Sequence, residues 1–239
     1  MSDLGQVLEL MHTSSERWTS LRIHGHEWRH LKTFSRASEH RVSELRKSGS
    51  LSVQSVRLEK LGGGKPPEES REEWRVWLAK PDKKRTQFLV GDQVVTAVFI
   101  GDRWWSWSPL GFRMNDGALN SSHGFGPAEG LVDPARHIAS LHMRVDGRTS
   151  LLARPAFRVT AVPRIVEPHG FDPTFHMLGT GADLYKLVVD AEVGILLRCQ
   201  AEFHGDAFRV IEVDHIGVNE QFGEGIFDPD LLRDGVTDR

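Results

Sequence analysis

The chain is poor in cysteine, tyrosine, long apolar runs and runs of like charge. It has 239 residues with one cysteine and one tyrosine, so an internal disulfide framework is excluded. The longest strongly apolar stretch, 94–100, is far too short to span a bilayer. The net charge is −3 without any lysine or arginine run, so the electrostatic signature of a nucleic-acid-binding protein is missing. The first residues contain no basic region and no long apolar segment, so no signal peptide is predicted and a cytoplasmic location is expected.

The residues that are present indicate a folded globular protein. Hydrophobic residues make up 39% and charged residues 26% of the chain, which is ordinary for such proteins. Seven tryptophans are the unusual feature, and this side chain suits a core or the wall of an apolar cavity. The cysteine, Cys199, lies in an apolar segment and is predicted to be a buried small hydrophobe rather than a reactive thiol.

Three apolar-rich runs between residues 184 and 218 are the strongest structural signal. Short turns at 191–194 and 204–206 separate these runs, which predicts consecutive β-hairpins. From residue 72 onwards, further short runs alternate with Gly, Pro and Asp turns. The sequence therefore predicts about eleven antiparallel strands, with the main sheet formed by 18–30 and 72–219.

Helical patterns lie outside or between these strands. Apolar spacing predicts an N-terminal helix over 3–16, and a weaker stripe indicates a second helix over 31–46. Asp133 and Pro134 form a helix-start signal, so a lid helix is predicted over about 133–143. The predicted loops are 62–71, 115–130 and 163–182.

A sheet of this length is expected to curl, because strand twist accumulates across it. We therefore predict one mostly β (α+β) domain over 1–239: an unclosed half-barrel whose helices form a lid over an apolar pocket.

Several segments of the chain resemble the LolA/LppX/RseB-like superfamily. This group includes lipoprotein-carrier proteins, LppX-type lipid-binding lipoproteins of mycobacterial type, and the sensor domain that restrains an envelope-stress anti-sigma factor. The matching segments, in chain order, are VWLAKP at 76–81, KR at 84–85, GDRWWSWSP at 101–109, LVDPA at 131–135, RPAFRV at 154–159 and VDAEVGILLR at 189–198.

The resemblance implies a fold and a function. It implies an outer-membrane lipoprotein-sorting-like protein of actinobacterial type, with an unclosed barrel and a helical lid. It also implies that the chain binds acyl chains or lipidated peptides without catalysis and without a cofactor. Unlike the exported members, the chain shows neither a signal peptide nor a lipobox cysteine.

The candidate cavity wall consists of aromatic and aliphatic side chains on the predicted strands and the lid helix. Trp105 and Trp107 share one strand face, whereas Trp104 takes the other. The predicted ligand-binding residues are Trp77, Phe88, Phe99, Trp105, Trp107, Ile138 and Leu141. Plain core packing is the alternative interpretation, because both interpretations require burial and they differ in whether space remains unfilled.

A second candidate is the segment 26–30, which matches the H-E-x-x-H pattern of zinc hydrolases. On a helix, His26 and His30 would share a face and bind zinc, while Glu27 would activate water. The residues before this segment alternate as in a strand, and a strand would point Glu27 away from both histidines. His40 or Glu44 is the candidate third ligand. A separate loop, containing His169, Asp172 and His176, also has ligand-like spacing.

Three functional hypotheses follow from these features. The first is non-enzymatic binding of a lipid or an acyl chain in an apolar cavity between sheet and helices. The second is a protein-interaction or regulatory module of the stress-sensor type, with a filled core and an exposed apolar patch that meets a protein partner. The third is a zinc metallohydrolase that uses His26, Glu27 and His30.

Overall fold

The computed structural model describes residues 3–47, 67–90, 93–109, 111–115, 126–164 and 177–233. Short turns connect most neighbouring strands, as the Gly- and Asp-bearing segments predict. The strands are β1 Ser20–His30, β2 Glu69–Ala79, β3 Lys83–Val90, β4 Gln93–Ile100, β5 Arg103–Ser108, β6 Gly111–Met114, β7 Leu141–Leu151, β8 Arg154–Pro163, β9 Leu184–Asp190, β10 Leu196–Phe203 and β11 Asp206–Val218. The α-helices are α1 Asp3–His12, α2 Leu31–Lys47, α3 Glu129–Val132, α4 Ala135–Ile138 and α5 Pro229–Arg233, and 3₁₀ turns cover Ser14–Glu16 and Gly126–Ala128.

All eleven strands form one antiparallel sheet in the order β6-β5-β4-β3-β2-β1-β11-β10-β9-β8-β7. The sheet does not close on itself, because β6 lies at one edge and β7 at the other. The predicted mostly β fold, an eleven-stranded unclosed half-barrel with helices, is confirmed. None of the helices in the described part of the chain combines the length and the apolar content that a membrane span needs.

One face of the sheet, called the inner face here, packs against the helices. Leu21 and Ile23 of β1 are fully buried there, in the same core cluster as Val7 and Met11 of α1. Helix α2 adds Phe34, whose ring lies 5.9 Å from the ring of Phe208 at an edge-to-face angle. Burial of this apolar surface is the main force that holds the helices on the sheet.

A buried ion cluster interrupts this apolar inner face. Glu27 is only 1% exposed, and its Oε1 accepts hydrogen bonds from Nε of Arg209, at 2.6 Å, and from Nε of Arg29. Arg209 also donates to the main-chain oxygen of Met177, at 2.9 Å. Because a buried carboxylate is costly unless it is paired, these contacts bind β1, β11 and the segment before β9 together.

The C-terminal segment 219–233 packs on the opposite face of the sheet, called the outer face here. Arg22 forms an ion pair with Glu220, at 2.8 Å, and the Ser20 hydroxyl donates to the Glu220 main-chain oxygen, at 2.6 Å. Further along, Arg85 donates to the main-chain oxygen of Ile226, at 3.4 Å. Both faces of the central strands are therefore covered, one by helices and the other by this segment.

The helix boundaries require two corrections. The helix predicted over 3–16 ends at His12, and a 3₁₀ turn follows. The lid helix predicted over 133–143 is wrong in its second half: α4 ends at Ile138, and Leu141 begins strand β7. The lid at this place consists of the single-turn helices α3 and α4. The predicted loop 62–71 needs a correction in its last part, because residues 69–71 already belong to β2 and pair with β1, while 62–66 lie outside the described residues. Most of the predicted loops 115–130 and 163–182 also lies outside the described residues.

Candidate ligand pocket

A pocket of about 360 Å³ opens on the inner face, where β2, β3 and β4 reach one end of the sheet. The 3₁₀ turn Ser14–Glu16 and the short helices α3 and α4 form its other walls. Its lining residues are Ser15, Trp18, Leu78, Ala79, Lys80, Pro81, Asp82, Lys83, Lys84, Phe99, Gly101, Glu129, Val132, Asp133 and Arg136. This volume is at the lower end of the range of about 300–1,000 Å³ that is typical of small-molecule sites.

The floor of the pocket follows from the strand register. Leu78 of β2 pairs with Lys84 of β3, and Lys84 pairs with Phe99 of β4. Paired residues of neighbouring strands point to the same face, so these three side chains form one row on the inner face. Trp18 and Val132, which are buried, extend the apolar surface from the opposite wall.

Lys84 is the one charged member of this row. Its Nζ lies 3.9 Å from the centroid of the Phe99 ring, within cation–π distance. Burial lowers the pKa of the Lys84 ammonium from 10.5 to about 8, and the nearby negative charge of Glu129 opposes this change. The pocket therefore combines apolar surface with a partly desolvated cation.

Other ionisable side chains at the mouth of the pocket contact one another or the main chain. Arg136 donates to Glu129, at 3.2 Å, and to Asp133, at 2.6 Å. Lys80 donates to the main-chain oxygens of Ser15 and Trp18, and its Nζ lies 4.2 Å from the Trp18 ring centroid. Burial lowers the pKa of Lys80 as well, against the attraction of a nearby carboxylate. These contacts fix the positions of the turn and of α3 and α4 around the opening.

The seven predicted cavity residues do not line one cavity. Phe99 lines the pocket. Phe88 also points to the inner face, but it packs against the core cluster close to Gly126. Ile138 packs against the core cluster too, and Leu141, which is 3% exposed, belongs to it.

The three tryptophans among these residues lie on the other side of the sheet. Trp77 pairs with Arg22 on one side and with Arg85 on the other, and it is 3% exposed. Trp105 and Trp107 share the outer face with Trp77, because the register places each of them across from an outer-face residue of β4. Their prediction as a cavity wall beneath the lid is therefore corrected, since helices α1 and α2 cover the inner face.

Sequence reasoning missed several residues of the pocket. Leu78 is adjacent to Trp77 in an apolar run, and both are buried, so hydrophobicity gave no indication of which one faces inward. Lys84 lies in a Lys-Lys-Arg segment that is typical of a solvated strand.

The H-E-x-x-H segment lies on strand β1, so the helical arrangement that the zinc hypothesis needs is not formed. His26 Nδ1 lies within hydrogen-bond distance of Asp214 Oδ2, at 2.9 Å, and His30 Nδ1 hydrogen-bonds with the Thr33 hydroxyl, at 2.8 Å. Glu27 points to the inner face, away from both histidines.

The remaining metal-ligand candidates do not complete such a site. His40 and Glu44 are on α2, where the His40 ring lies 5.4 Å from the ring of Phe203. Across 3–47, 67–90, 93–109, 111–115, 126–164 and 177–233, no group of three His, Cys, Asp or Glu side chains is placed to hold a metal ion. The loop candidates His169, Asp172 and His176 lie outside the described residues.

No protein-family model and no curated protein matches the chain. Among solved structures, MucB superposes with a TM-score of 0.53 at 12% identity, over 95% of this chain and 62% of that chain. The MucA/MucB complex of Pseudomonas aeruginosa gives 0.51 at 14% identity, over 93% and 59%. The lipoprotein LppX of Mycobacterium tuberculosis gives 0.48 at 9% identity, over 93% and 99%.

These likenesses are at the level of the fold. The chain spans about three fifths of the length of the MucB structures. The LolA/LppX/RseB-like fold predicted from the sequence is confirmed.

Proposed function

We propose that the chain binds a hydrophobic ligand with an acyl chain in the pocket beside α3 and α4, without transforming it chemically. The observation that carries this proposal is the apolar surface formed by Leu78 and Phe99 on the floor and by Trp18 and Val132 on the opposite wall. Removal of an acyl chain from water provides the driving force, at about 0.8 kcal/mol for each buried methylene before ordering costs.

Contacts at the pocket support binding rather than catalysis. Arg136 is held between Glu129 and Asp133, so these three side chains brace α3 and α4 against each other. Lys80 is similarly engaged with the main chain of the 3₁₀ turn and of Trp18. A general acid or base has to exchange a proton with its substrate, whereas these groups maintain the shape of the opening.

The volume of the pocket bears on the size of the ligand. About 360 Å³ suits one short or medium-length chain rather than a lipid with two long chains. A larger cavity, of about 610 Å³, lies between the C-terminal segment and the strand ends on the outer face. Its lining is mostly the glycine-bearing segment 220–229, which contributes Phe222, Ile226 and Phe227, and neither α3 nor α4 contributes to it.

The test is a titration of the purified protein with a fluorescent fatty acid, after removal of any lipid acquired during expression. Phe99→Ala should weaken binding about 10-fold, because it removes most of an aromatic wall. Trp107→Ala is the matched control: it deletes an aromatic side chain from the outer face and should leave the affinity unchanged. Absence of fluorescent fatty acid binding by the unaltered protein, or equal effects of the two substitutions, would contradict the proposal.

A second candidate function is a protein-interaction module. An apolar strip at the β6 edge favours it, because Phe112 is 45% and Met114 55% exposed, beside Trp107 and Trp105 of β5. Exposed apolar patches of this kind mark interaction surfaces. MucB, which has the same fold, was crystallised in a complex with MucA.

The same protein preparation tests this second function. A stoichiometric complex that is lost with Phe112→Ser, while binding of the fluorescent fatty acid persists, would favour the interaction module over the ligand pocket. The reverse result, loss of fatty acid binding with Phe99→Ala and no complex, would favour the pocket.

A further inference from the structure

We infer that the pocket selects single-chain ligands with a carboxylate head group, and that the ammonium group of Lys84 is the carboxylate-binding element. This inference rests on the proposed function, since it specifies the ligand class of the same pocket. It concerns the ligand's charge, whereas the proposed function concerns only its apolar chain.

The position of Lys84 is the first reason. It lies between Leu78 and Phe99 in one row of the inner face, where an apolar side chain would complete the floor. Its Nζ lies 3.9 Å from the Phe99 ring centroid and faces the pocket with that ring. A cation in such surroundings loses much of its hydration, which costs free energy in the unliganded protein. An anion that binds beside the ammonium group offsets this desolvation cost.

The charges around Lys84 are the second reason. Glu129 on α3 is the carboxylate that interacts with it, and Glu129 also accepts a hydrogen bond from Arg136, at 3.2 Å. Asp133 accepts a second hydrogen bond from Arg136, at 2.6 Å. The lining has four basic side chains and three acidic ones, so the pocket carries a net positive charge. The basic side chains are Lys80, Lys83, Lys84 and Arg136, and the acidic ones are Asp82, Glu129 and Asp133. One additional negative charge would neutralise the pocket.

The size and the single excess charge together favour a monoanion with one chain. The pocket of about 360 Å³ leaves little room for a second acyl chain. A phosphate monoester carries about −1.5 to −2 charge near neutral pH, which exceeds the excess positive charge of the lining. A carboxylate carries one negative charge and accepts hydrogen bonds from an ammonium group in a charge-assisted geometry.

The experiment compares dodecanoic acid with 1-dodecanol, which differ in head-group charge, as competitors of a bound fluorescent fatty acid at pH 7. The acid should bind at least about 10-fold more tightly than the alcohol, as expected for a charge-assisted hydrogen bond in a partly buried site. Lys84→Met should reduce this ratio to about 2-fold or less while the alcohol retains its affinity, because the apolar floor remains. Lys32→Met is the matched control, since Lys32 is exposed on α2 and does not line this pocket.

A pH series distinguishes loss of the positive charge of Lys84 from loss of folding. The acid-to-alcohol ratio should fall as the pH rises through about 8, where Lys84 loses its proton, whereas the affinity for the alcohol should stay constant. Dodecyl phosphate serves as the phosphate arm and should bind less tightly than dodecanoic acid.

The outcomes separate the inference from the proposed function. Equal affinities for acid and alcohol, or a preference that survives Lys84→Met, would overturn the inference while the proposed function stands. Tighter binding of dodecyl phosphate than of dodecanoic acid would overturn the choice of carboxylate. Failure of the unaltered protein to bind any of the three ligands would overturn both.

Discussion

Replacement of Lys84 by methionine should make the unliganded protein more stable. Burial lowers the pKa of Lys84 from 10.5 to about 8, so the folded state holds the charged form at a cost. The difference between these two pKa values corresponds to a destabilisation of the folded state by about 3 kcal/mol, at about 1.4 kcal/mol per pKa unit. Because Lys84 retains partial exposure, the gain should be smaller, about 1–3 kcal/mol at pH 7. Methionine also fits the row, since Leu78 and Phe99 flank this position.

The pH dependence of this gain follows from the two pKa values. Below pH 8, Lys84 is protonated in both the folded and the unfolded states, and the cost is fully present. Between about pH 8 and 10.5 the folded state releases its proton first, so the unfolded state binds more protons and stability rises with pH. The advantage of Lys84→Met should therefore be largest below pH 8 and disappear near pH 10.5.

Urea unfolding followed by tryptophan fluorescence measures this difference. The free energies of unfolding of the unaltered protein, Lys84→Met and Lys32→Met should be compared at pH 7 and pH 10. A gain specific to Lys84→Met at pH 7 that shrinks at pH 10 is the expected result. A loss of stability at pH 7, or a gain independent of pH, would refute the assignment of Lys84 to a desolvated position. If the charge serves ligand binding, stability and affinity should change in opposite directions.

Three further outcomes are expected. Arg209→Met should lower the free energy of unfolding by about 3–5 kcal/mol in the same urea assay, because it leaves Glu27 buried with less charge compensation; a cost below about 1 kcal/mol would contradict this interpretation of the cluster. Gly194→Ala should lower the Tm by about 5 °C or more in a thermal scan, since Gly194 has a φ of +77° and a Cβ there would overlap the main-chain oxygen of Leu10. Cys199 should resist alkylation at pH 8 until denaturant is added, because burial raises the pKa of its thiol to about 12; rapid labelling of the native protein, measured by mass spectrometry, would show that β10 is accessible.

The sheet could be predicted from the sequence because its turns are short and carry Gly, Pro or Asp. The three apolar runs predicted between 184 and 218 correspond to β9, β10 and β11, and the turns predicted at 191–194 and 204–206 lie between them. The buried state of Cys199 was also predicted correctly. These features depend on local chemistry, which a single sequence contains.

The direction of the tryptophans could not be predicted, because the central strands are covered on both faces. Alternation of apolar and polar residues identifies the inner face only where the other face meets water. Trp77 is buried on the outer face beside Arg85, and Leu78 is buried on the inner face. Their hydrophobicity therefore predicts burial for both residues and does not distinguish the two faces. The long-range packing of the segment 219–233 decides this question, and no local pattern indicates it.

The predicted lid helix is longer than α4 because two periodicities overlap in this segment. Ala135, Ile138 and Leu141 recur every three residues, which fits a helix, but Leu141, Met143 and Val145 also alternate as one face of β7. The strand forms instead of the helix, because residues 141–151 pair with β8 through main-chain hydrogen bonds, with one register shift between Val145 and Gly147.

The two edge strands of the sheet differ in length, and this difference has a consequence for self-assembly. Strand β7 is eleven residues long, and among the strands that the structure describes it has a neighbour on one side alone. A row of unpaired amides and carbonyls on an edge strand is a template for pairing with a second molecule. Arg144 and Asp146, which form an ion pair at 3.0 Å, and Arg148, which pairs with Asp3 at 3.6 Å, place charges along this border. Such charges act as gatekeepers against fibril-like growth, because a second copy would have to bury them. The opposite border, β6, is only four residues long and limits stacking by its shortness instead.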